Sequence, residues 1–165
     1  MSKAFTKEET SNVPLILPKR VPLPAGVPNY VTAAGLAAYR SEIARLIQER
    51  AAVSSDAQQV DPAEKQAQLN VRIAELEARL GSAELVESAE RPRDEVRFGA
   101  TVTVQSALGV ERTYQIVGVD EADPTAGRVM FLAPVARALL GRRVGESVIV
   151  QTPHGEDELE ITRIE

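Results

Sequence analysis

The sequence predicts an α+β protein, in which an antiparallel pair of helices precedes a small domain built mainly from β-strands. Two observations lead to this fold class. Between residues 31 and 83, apolar residues recur every three or four positions, which is the period of a helix with one buried face. Between residues 96 and 165 the period falls to two, and glycine and proline separate the apolar segments, which is typical of short strands joined by turns.

Residues 1–30 form a proline-rich leader before the first helical pattern. They carry five of the ten prolines in the chain. Each proline fixes its own φ and pushes the residue before it toward an extended conformation. The leader is therefore predicted to be extended and to lack a core of its own. Its first residues are charged and lead into prolines rather than an apolar run, which argues against a secretory signal.

Two helices of similar length are predicted within residues 31–83. The first follows a plausible N-cap, Thr32, and its apolar seam comprises Leu36, Tyr39, Ile43, Leu46, Arg50 and Val53. The second begins at Asp61-Pro62 and ends near Gly81, and its seam comprises Leu69, Ile73, Leu76 and Leu80. Because the seams match and the link is short and polar, we expect an antiparallel coiled-coil hairpin that projects roughly 30 Å.

Residues 84–95 are predicted to form a charged connector, and residues 96–165 a compact β-rich domain. The predicted strands lie at 96–98, 101–104, 114–119, 128–132, 147–150 and 159–164. A short helix is expected from Ala133-Pro134 to the stop at Gly141. This arrangement predicts an antiparallel sheet that packs against one helix.

Composition excludes several classes of function. The chain has no cysteine, so thiolate metal sites and disulfides are excluded and a reducing compartment is favoured. Its net charge of −5 argues against a general duplex-DNA binder, which needs a concentrated basic surface. The sequence has no stretch of membrane-spanning length. We therefore expect a cytoplasmic protein with a protein partner and no membrane contact.

Residues 96–165 resemble the C-terminal domain of the GreA/GreB transcription elongation factors. The matching segments are 98–104, 114–123, 133–141, 144–146 and 152–156. Upstream, residues 24–32 are similar to a GreB-type lead-in, and residues 72–84 to the return arm of the family's hairpin. The resemblance implies an FKBP-like globular domain that docks at the rim of the RNA polymerase secondary channel. It also implies a hairpin inside the channel, with indirect contact to the nascent RNA and DNA of the elongation complex.

The resemblance also suggests which residues contact the polymerase. Ala133, Pro134, Val135 and Arg137 occupy the segment where the family presents a Ser-Pro contact. Ala133 stands in place of the serine. Alternatively, Ala133-Pro134 simply begins a short helix, since proline suits the first helical position.

The candidate tip acids are Asp56, Asp61 and Glu64. In the family, two acidic residues at the tip help to hold a magnesium ion in the polymerase active site, so the resemblance implies a shared Mg²⁺ and no cofactor of the chain's own. Asp61 and Glu64 reproduce the family's Asp-x-x-Glu spacing, but Lys65 follows where the family has asparagine. The preferred interpretation is structural: Asp61 and Glu64 cap the second helix, and Asp56 belongs to the turn.

The hairpin is also shorter than that of the family, by about two turns per arm, or roughly 12 Å. The resemblance, together with the short hairpin, therefore implies an accessory polymerase-binding regulator that is not itself an enzyme and has little or no cleavage-stimulating activity. Three alternatives stay open. They are true stimulation of transcript cleavage by the tip acids, a relationship to the regulator of nucleoside diphosphate kinase, and prolyl isomerase activity suggested by the fold alone.

Overall fold

The computed structural model describes residues 20–53, 61–87, 94–153 and 155–165. Its helices and strands are β1 (Asn29–Val31), α1 (Ala33–Ala52), α2 (Pro62–Gly81), β2 (Ala83–Leu85), β3 (Thr101–Ser106), β4 (Glu111–Val117), β5 (Arg128–Met130), α3 (Pro134–Leu139), β6 (Ser147–Thr152) and β7 (Gly155–Ile164). Two short 3₁₀ turns, Val119–Glu121 and Pro124–Ala126, separate β4 from β5. The predicted α+β class is confirmed. Among the described residues, no helix combines the length and the apolar character needed to cross a bilayer.

The helical hairpin forms as its apolar periodicity predicts. Each helix has 20 residues, and the side chains of the two seams are buried together in one cluster: Tyr39, Leu46 and Val53 from the first arm with Leu69, Ile73 and Leu76 from the second. The polar interruption of the first seam, Arg50, is accommodated because its guanidinium donates to Asn70 Oδ1 at 2.8 Å. The seam thus continues past a charged residue.

The base of the hairpin is closed by a small parallel sheet that the sequence pattern did not indicate. β1 pairs with β2, with Asn29 opposite Ala83 and Val31 opposite Leu85. The buried Asn29 side chain donates to Arg79 O at 2.9 Å and to Ser82 Oγ at 3.1 Å. The chain therefore enters and leaves the hairpin side by side, and parts of the predicted leader and connector belong to this base.

The globular domain contains a five-stranded sheet in the order β5-β4-β3-β7-β6. It is mixed rather than wholly antiparallel, because β5 runs parallel to β4. The connection between these two strands contains the two 3₁₀ turns, so the chain crosses back before β5 instead of reversing in a tight hairpin.

The predicted strand at 96–98 is wrong. Val96 instead pairs with the loop that follows α3: its N–H donates to Arg142 O at 2.7 Å and its carbonyl accepts from Gly141 N at 2.8 Å. Phe98 then leads into a turn in which Gly99 adopts φ 87°, a conformation that interrupts a strand. The segment therefore fastens the start of the domain to the end of α3.

The core of the globular domain lies between the sheet and α3. Its buried residues are Val96, Ala100, Val102, Val104, Ile116, Ala136, Leu139, Val148, Val150, Leu159 and Ile161. The hairpin has its own separate core, and within the described ranges no buried residue belongs to both clusters. The contacts between the hairpin and the globular domain are consequently made at a limited surface.

That surface, called the junction below, is formed on the hairpin side by Arg20, Tyr30, Thr32, Gly35, Tyr39 and Arg79, and on the globular side by Phe98, Gly118, Asp120, Glu121 and Phe131. The ring of Tyr30 contacts both phenylalanine rings, with centroids 5.9 Å and 5.5 Å away. The junction therefore has an aromatic part and a charged part.

Candidate functional site

The first candidate site is the exposed side of α3. Pro134 occupies the first turn of the helix, and Ala133, at the N-cap, makes no side-chain capping bond because alanine has no acceptor. Ala136 and Leu139 are fully buried and orient the helix, whereas Pro134 and Arg137 are exposed and Ala133 and Val135 are partly buried. The four predicted contact residues thus include two that a partner could reach directly.

The loop after α3 adds further residues to this surface. Arg143 is exposed and Val144 is 54% exposed. Arg142 forms an ion pair with Glu146 at 3.4 Å, but the guanidinium groups of Arg137 and Arg143 have no acidic partner among the described residues. We call Pro134, Arg137, Arg143 and Val144 the α3 surface. It offers unpaired positive charge beside apolar atoms, which suits an acidic protein surface.

Arg143 and Val144 were missed at the sequence level. The available signal was the basic pair Arg142-Arg143 directly after a helix-ending glycine. The position of Glu146 decides which of the two arginines has an acidic partner. A hydrogen bond to the backbone holds Glu146 in place. Arg143 N donates to Glu146 Oε2 at 2.6 Å, which brings the carboxylate near Arg142.

The second candidate site is the tip of the hairpin. Asp61 is the N-cap of α2, and its Oδ1 accepts from Ala63 N at 2.9 Å. Glu64 lies in the first turn and accepts from Gln68 Nε2 at 3.3 Å, so it interacts along the helix rather than closing a capping box. Both side chains are exposed. Asp56 lies outside the described residues.

These two carboxylates do not form a metal site by themselves. No group of three or more acidic or histidine side chains that could hold an ion occurs among the described residues. One oxygen of Asp61 already binds the helix N-terminus. A shared ion would therefore need most of its ligands from another molecule.

A cleft of about 450 Å³ lies at the junction between α1 and the 3₁₀ turns. Its charged side chains already have partners within the chain. Arg20 contacts both Glu42 and Asp120, and Arg128 binds Asp123 at 3.2 Å. The hydrogen bonds from Thr125 and Arg128 hold the pKa of Asp123 below its usual value. The cleft therefore presents side chains that are already engaged rather than a set of free ligands.

Tyr39 borders the same cleft and has the most perturbed ionisation in the junction. Burial raises the pKa of its phenol well above the usual value, and the hydrogen bond to Asp120 and the negative charge of that carboxylate act in the same direction. The phenol therefore stays protonated and donates to Asp120 Oδ2 at 2.8 Å.

Comparisons with known proteins find a family match in the C-terminal part of the chain. The family model described as "Transcription elongation factor, GreA/GreB, C-term" matches residues 91–165. Transcription elongation factor GreA of Anaeromyxobacter sp. (strain K) is 43% identical over 102 residues, which cover 61% of each chain. GreA of Beijerinckia indica subsp. indica is 48% identical over 94 residues, covering 56% of this chain and 60% of that protein. The chain thus spans about three fifths of the length of these relatives.

Among solved structures, the GreA/GreB factor from Nitrosomonas europaea is similar over 82% of this chain and 97% of that chain, with 22% identity and a TM-score of 0.42. Residues 91–165 are thus similar to the C-terminal domain of the GreA/GreB transcription elongation factors.

Proposed function

We propose that this protein is a regulator of transcription elongation that binds RNA polymerase through its globular domain and presents the helical hairpin to the secondary channel. The observation that carries the proposal is the GreA/GreB C-terminal domain over residues 91–165. The chain would act as an accessory factor in the cytoplasm, where bacterial polymerase works, and the polymerase would perform any chemistry.

The α3 surface is the proposed polymerase contact. Its two unpaired guanidinium groups, of Arg137 and Arg143, lie beside the exposed apolar side chains of Pro134 and Val144. Arginine is enriched at the centres of protein interfaces because its planar group can bind a carboxylate through two hydrogen bonds. An acidic, partly apolar surface at the rim of the channel would match this arrangement.

The hairpin would act by occupying the channel rather than by supplying a metal ligand. Arms of 20 residues reach about 30 Å. Asp61 and Glu64 are both engaged within α2, and Asp61 uses one oxygen as the helix cap. We therefore propose weak or absent stimulation of RNA cleavage, with effects on pausing or elongation arising from the presence of the hairpin.

Binding can be tested with core polymerase and the purified chain. We expect a complex that authentic GreA displaces, because both proteins would use the same rim. Arg137→Ala together with Arg143→Ala should weaken the affinity at least about tenfold, or ~1.4 kcal/mol. Arg163→Ala is a matched control, since Arg163 is also exposed but lies on β7 and pairs with Glu165. No binding, or binding that GreA does not displace, would contradict the proposal.

An assay on stalled elongation complexes distinguishes a factor that stimulates RNA cleavage from the proposed regulator. At saturating protein, we expect no shortened RNA with the wild-type chain. If shortened RNA appears and Asp61→Ala or Glu64→Gln abolishes it, the tip acids act as metal ligands and the regulator without cleavage activity is the wrong description.

A further inference from the structure

Two consecutive acids on the globular domain make most of the polar contacts with the hairpin. Asp120 and Glu121 both lie in the first 3₁₀ turn, directly after β4. We call them the acid pair. Each carboxylate faces a different part of the hairpin base, so the two together define an orientation and not only a point of attachment.

Glu121 binds the start of α1. Its Oε2 accepts from Thr32 N at 3.0 Å and from Gly118 N at 3.2 Å, and its Oε1 accepts from the Thr32 hydroxyl. Thr32 is itself the N-cap, since its Oγ1 accepts from Gly35 N at 3.1 Å. The carboxylate therefore extends the cap of α1 and lies where the helix carries partial positive charge.

Asp120 binds three separate segments of the chain with one oxygen. Its Oδ2 accepts from Tyr39 OH at 2.8 Å and lies 3.3 Å from Arg20 Nη1 and 3.6 Å from Arg79 Nε. The side chain is 6% exposed. Arg20 precedes β1, Tyr39 lies in α1 and Arg79 near the end of α2, so this carboxylate connects both arms and the segment that enters them.

Two glycines allow the acid pair to approach the hairpin this closely. A Cβ at Gly35 would overlap the carboxyl group of Glu121, and a Cβ at Gly118 would overlap the carbonyl oxygen of Tyr30. The second overlap involves backbone, which cannot rotate away as a side chain can. The sequence thus removes side-chain bulk at two of the points where the hairpin and the globular domain touch.

The orientation matters because the tip of the hairpin lies far from the junction. Helices of 20 residues extend about 30 Å from the base, so a rotation of about 10° at the junction displaces the tip by roughly 5 Å. A displacement of that size equals a full helical turn. A small loss of contact at the acid pair would therefore change what the tip can reach.

We propose that Asp120 and Glu121 are positioning residues that fix the direction in which the hairpin leaves the globular domain. Building on the proposed function, we further propose that the action of the hairpin on the polymerase requires this fixed direction, whereas docking through the α3 surface does not. Loss of the acid pair would then abolish the effect on the polymerase without weakening the binding.

The orientation can be measured in the free protein by pulsed spin-label distances. The chain has no cysteine, so Ala67→Cys on α2 and Ser147→Cys on β6, both exposed, provide a unique label pair. We expect one narrow distance distribution for the parent chain. Asp120→Asn with Glu121→Gln, and separately Gly118→Ala, should broaden it or add a population displaced by about 5 Å or more.

Asp123→Asn is the matched control, because Asp123 is an acid only two residues further on that contacts Thr125 and Arg128 rather than the hairpin. It should leave the distribution narrow. Thermal unfolding of each variant shows whether the globular domain stays folded. A distribution that stays narrow in folded variants of the acid pair overturns the positioning role.

Polymerase binding and elongation provide the second readout. The acid-pair variant should bind polymerase with unchanged affinity but lose its effect on elongation. Tyr39→Phe, which removes one donor and keeps both arginines, should retain most of the effect. If the distances broaden and the effect persists, the requirement for a fixed direction is wrong. If the parent chain does not bind polymerase, the proposed function fails, and the distances alone still decide the positioning role.

Discussion

Tyr39 connects the two parts of the molecule, because its ring is buried in the hairpin cluster and its hydroxyl donates to Asp120 of the globular domain. Its place in the apolar seam was predicted. The partner of its hydroxyl could not be predicted, because Asp120 lies 81 positions later in the sequence. The same applies to Thr32, which the local pattern identified as an N-cap, and to Glu121, which extends that cap from 89 positions away. Local chemistry predicts the cap and the seam. Only the tertiary fold brings Glu121 to the cap and Asp120 to the seam residue Tyr39.

Replacement of Tyr39 should change how stability depends on alkaline pH. Because folding raises the pKa of Tyr39, the folded chain holds the phenolic proton more tightly than the unfolded chain, whose tyrosine titrates near pH 10. This contribution is complete below about pH 10 and is lost as the pH rises further. Urea unfolding between about pH 9 and 11 should show a steeper decline for the wild type than for Tyr39→Phe. Parallel declines would contradict this assignment.

At the scale of the elements, the strong periodic patterns were predicted well and the two strands at the base of the hairpin were not. α1 and α2 carry seams over five turns, and their limits agree with the expected caps. β1 and β2 have three residues each, too few to show a period of two. β5 was predicted at 128–132 and is shorter in the structure, at Arg128–Met130. At 96–98, by contrast, a strand was predicted where none forms. An alternating apolar pattern was present, but its backbone partner is a loop after α3.

The cap of α2 offers a test at this scale. Asp61→Ala removes the acceptor for Ala63 N and should lower the free energy of unfolding by about 1 kcal/mol. Glu77→Ala, an exposed change in the same helix, should alter it by less than about 0.5 kcal/mol. Urea titrations followed by helical circular dichroism compare the two. Equal stabilities would mean that the Asp61 carboxylate is free for another role.

For the whole molecule, the sequence predicted two bodies but not the way in which they meet. The separate cores followed from two separate periodicities. The junction depends on isolated residues such as Tyr30 and Gly118, which belong to no repeating pattern. For the same reason the exposed arginines of the α3 surface needed the fold, since their availability depends on which nearby acids are already paired.

Because the globular domain has a separate core, residues 94–165 should fold without the hairpin. We expect a cooperative thermal transition for this fragment, at a temperature lower by about 5–10 °C than in the full chain. The loss arises because Phe98 and Phe131 no longer contact the ring of Tyr30. Calorimetry of the two proteins measures the difference. A fragment without a cooperative transition would show that the hairpin is required for the domain to fold.

The parallel pairing of β1 with β2 brings the two strands that flank the hairpin into register at its root. Residues inserted or removed at the far end, in equal numbers on both arms, leave that root and its hydrogen bonds unchanged. Seven residues added per arm would lengthen the projection by about 10 Å while preserving the apolar repeat. The length of the projection can therefore be changed by evolution or design independently of how the hairpin is anchored.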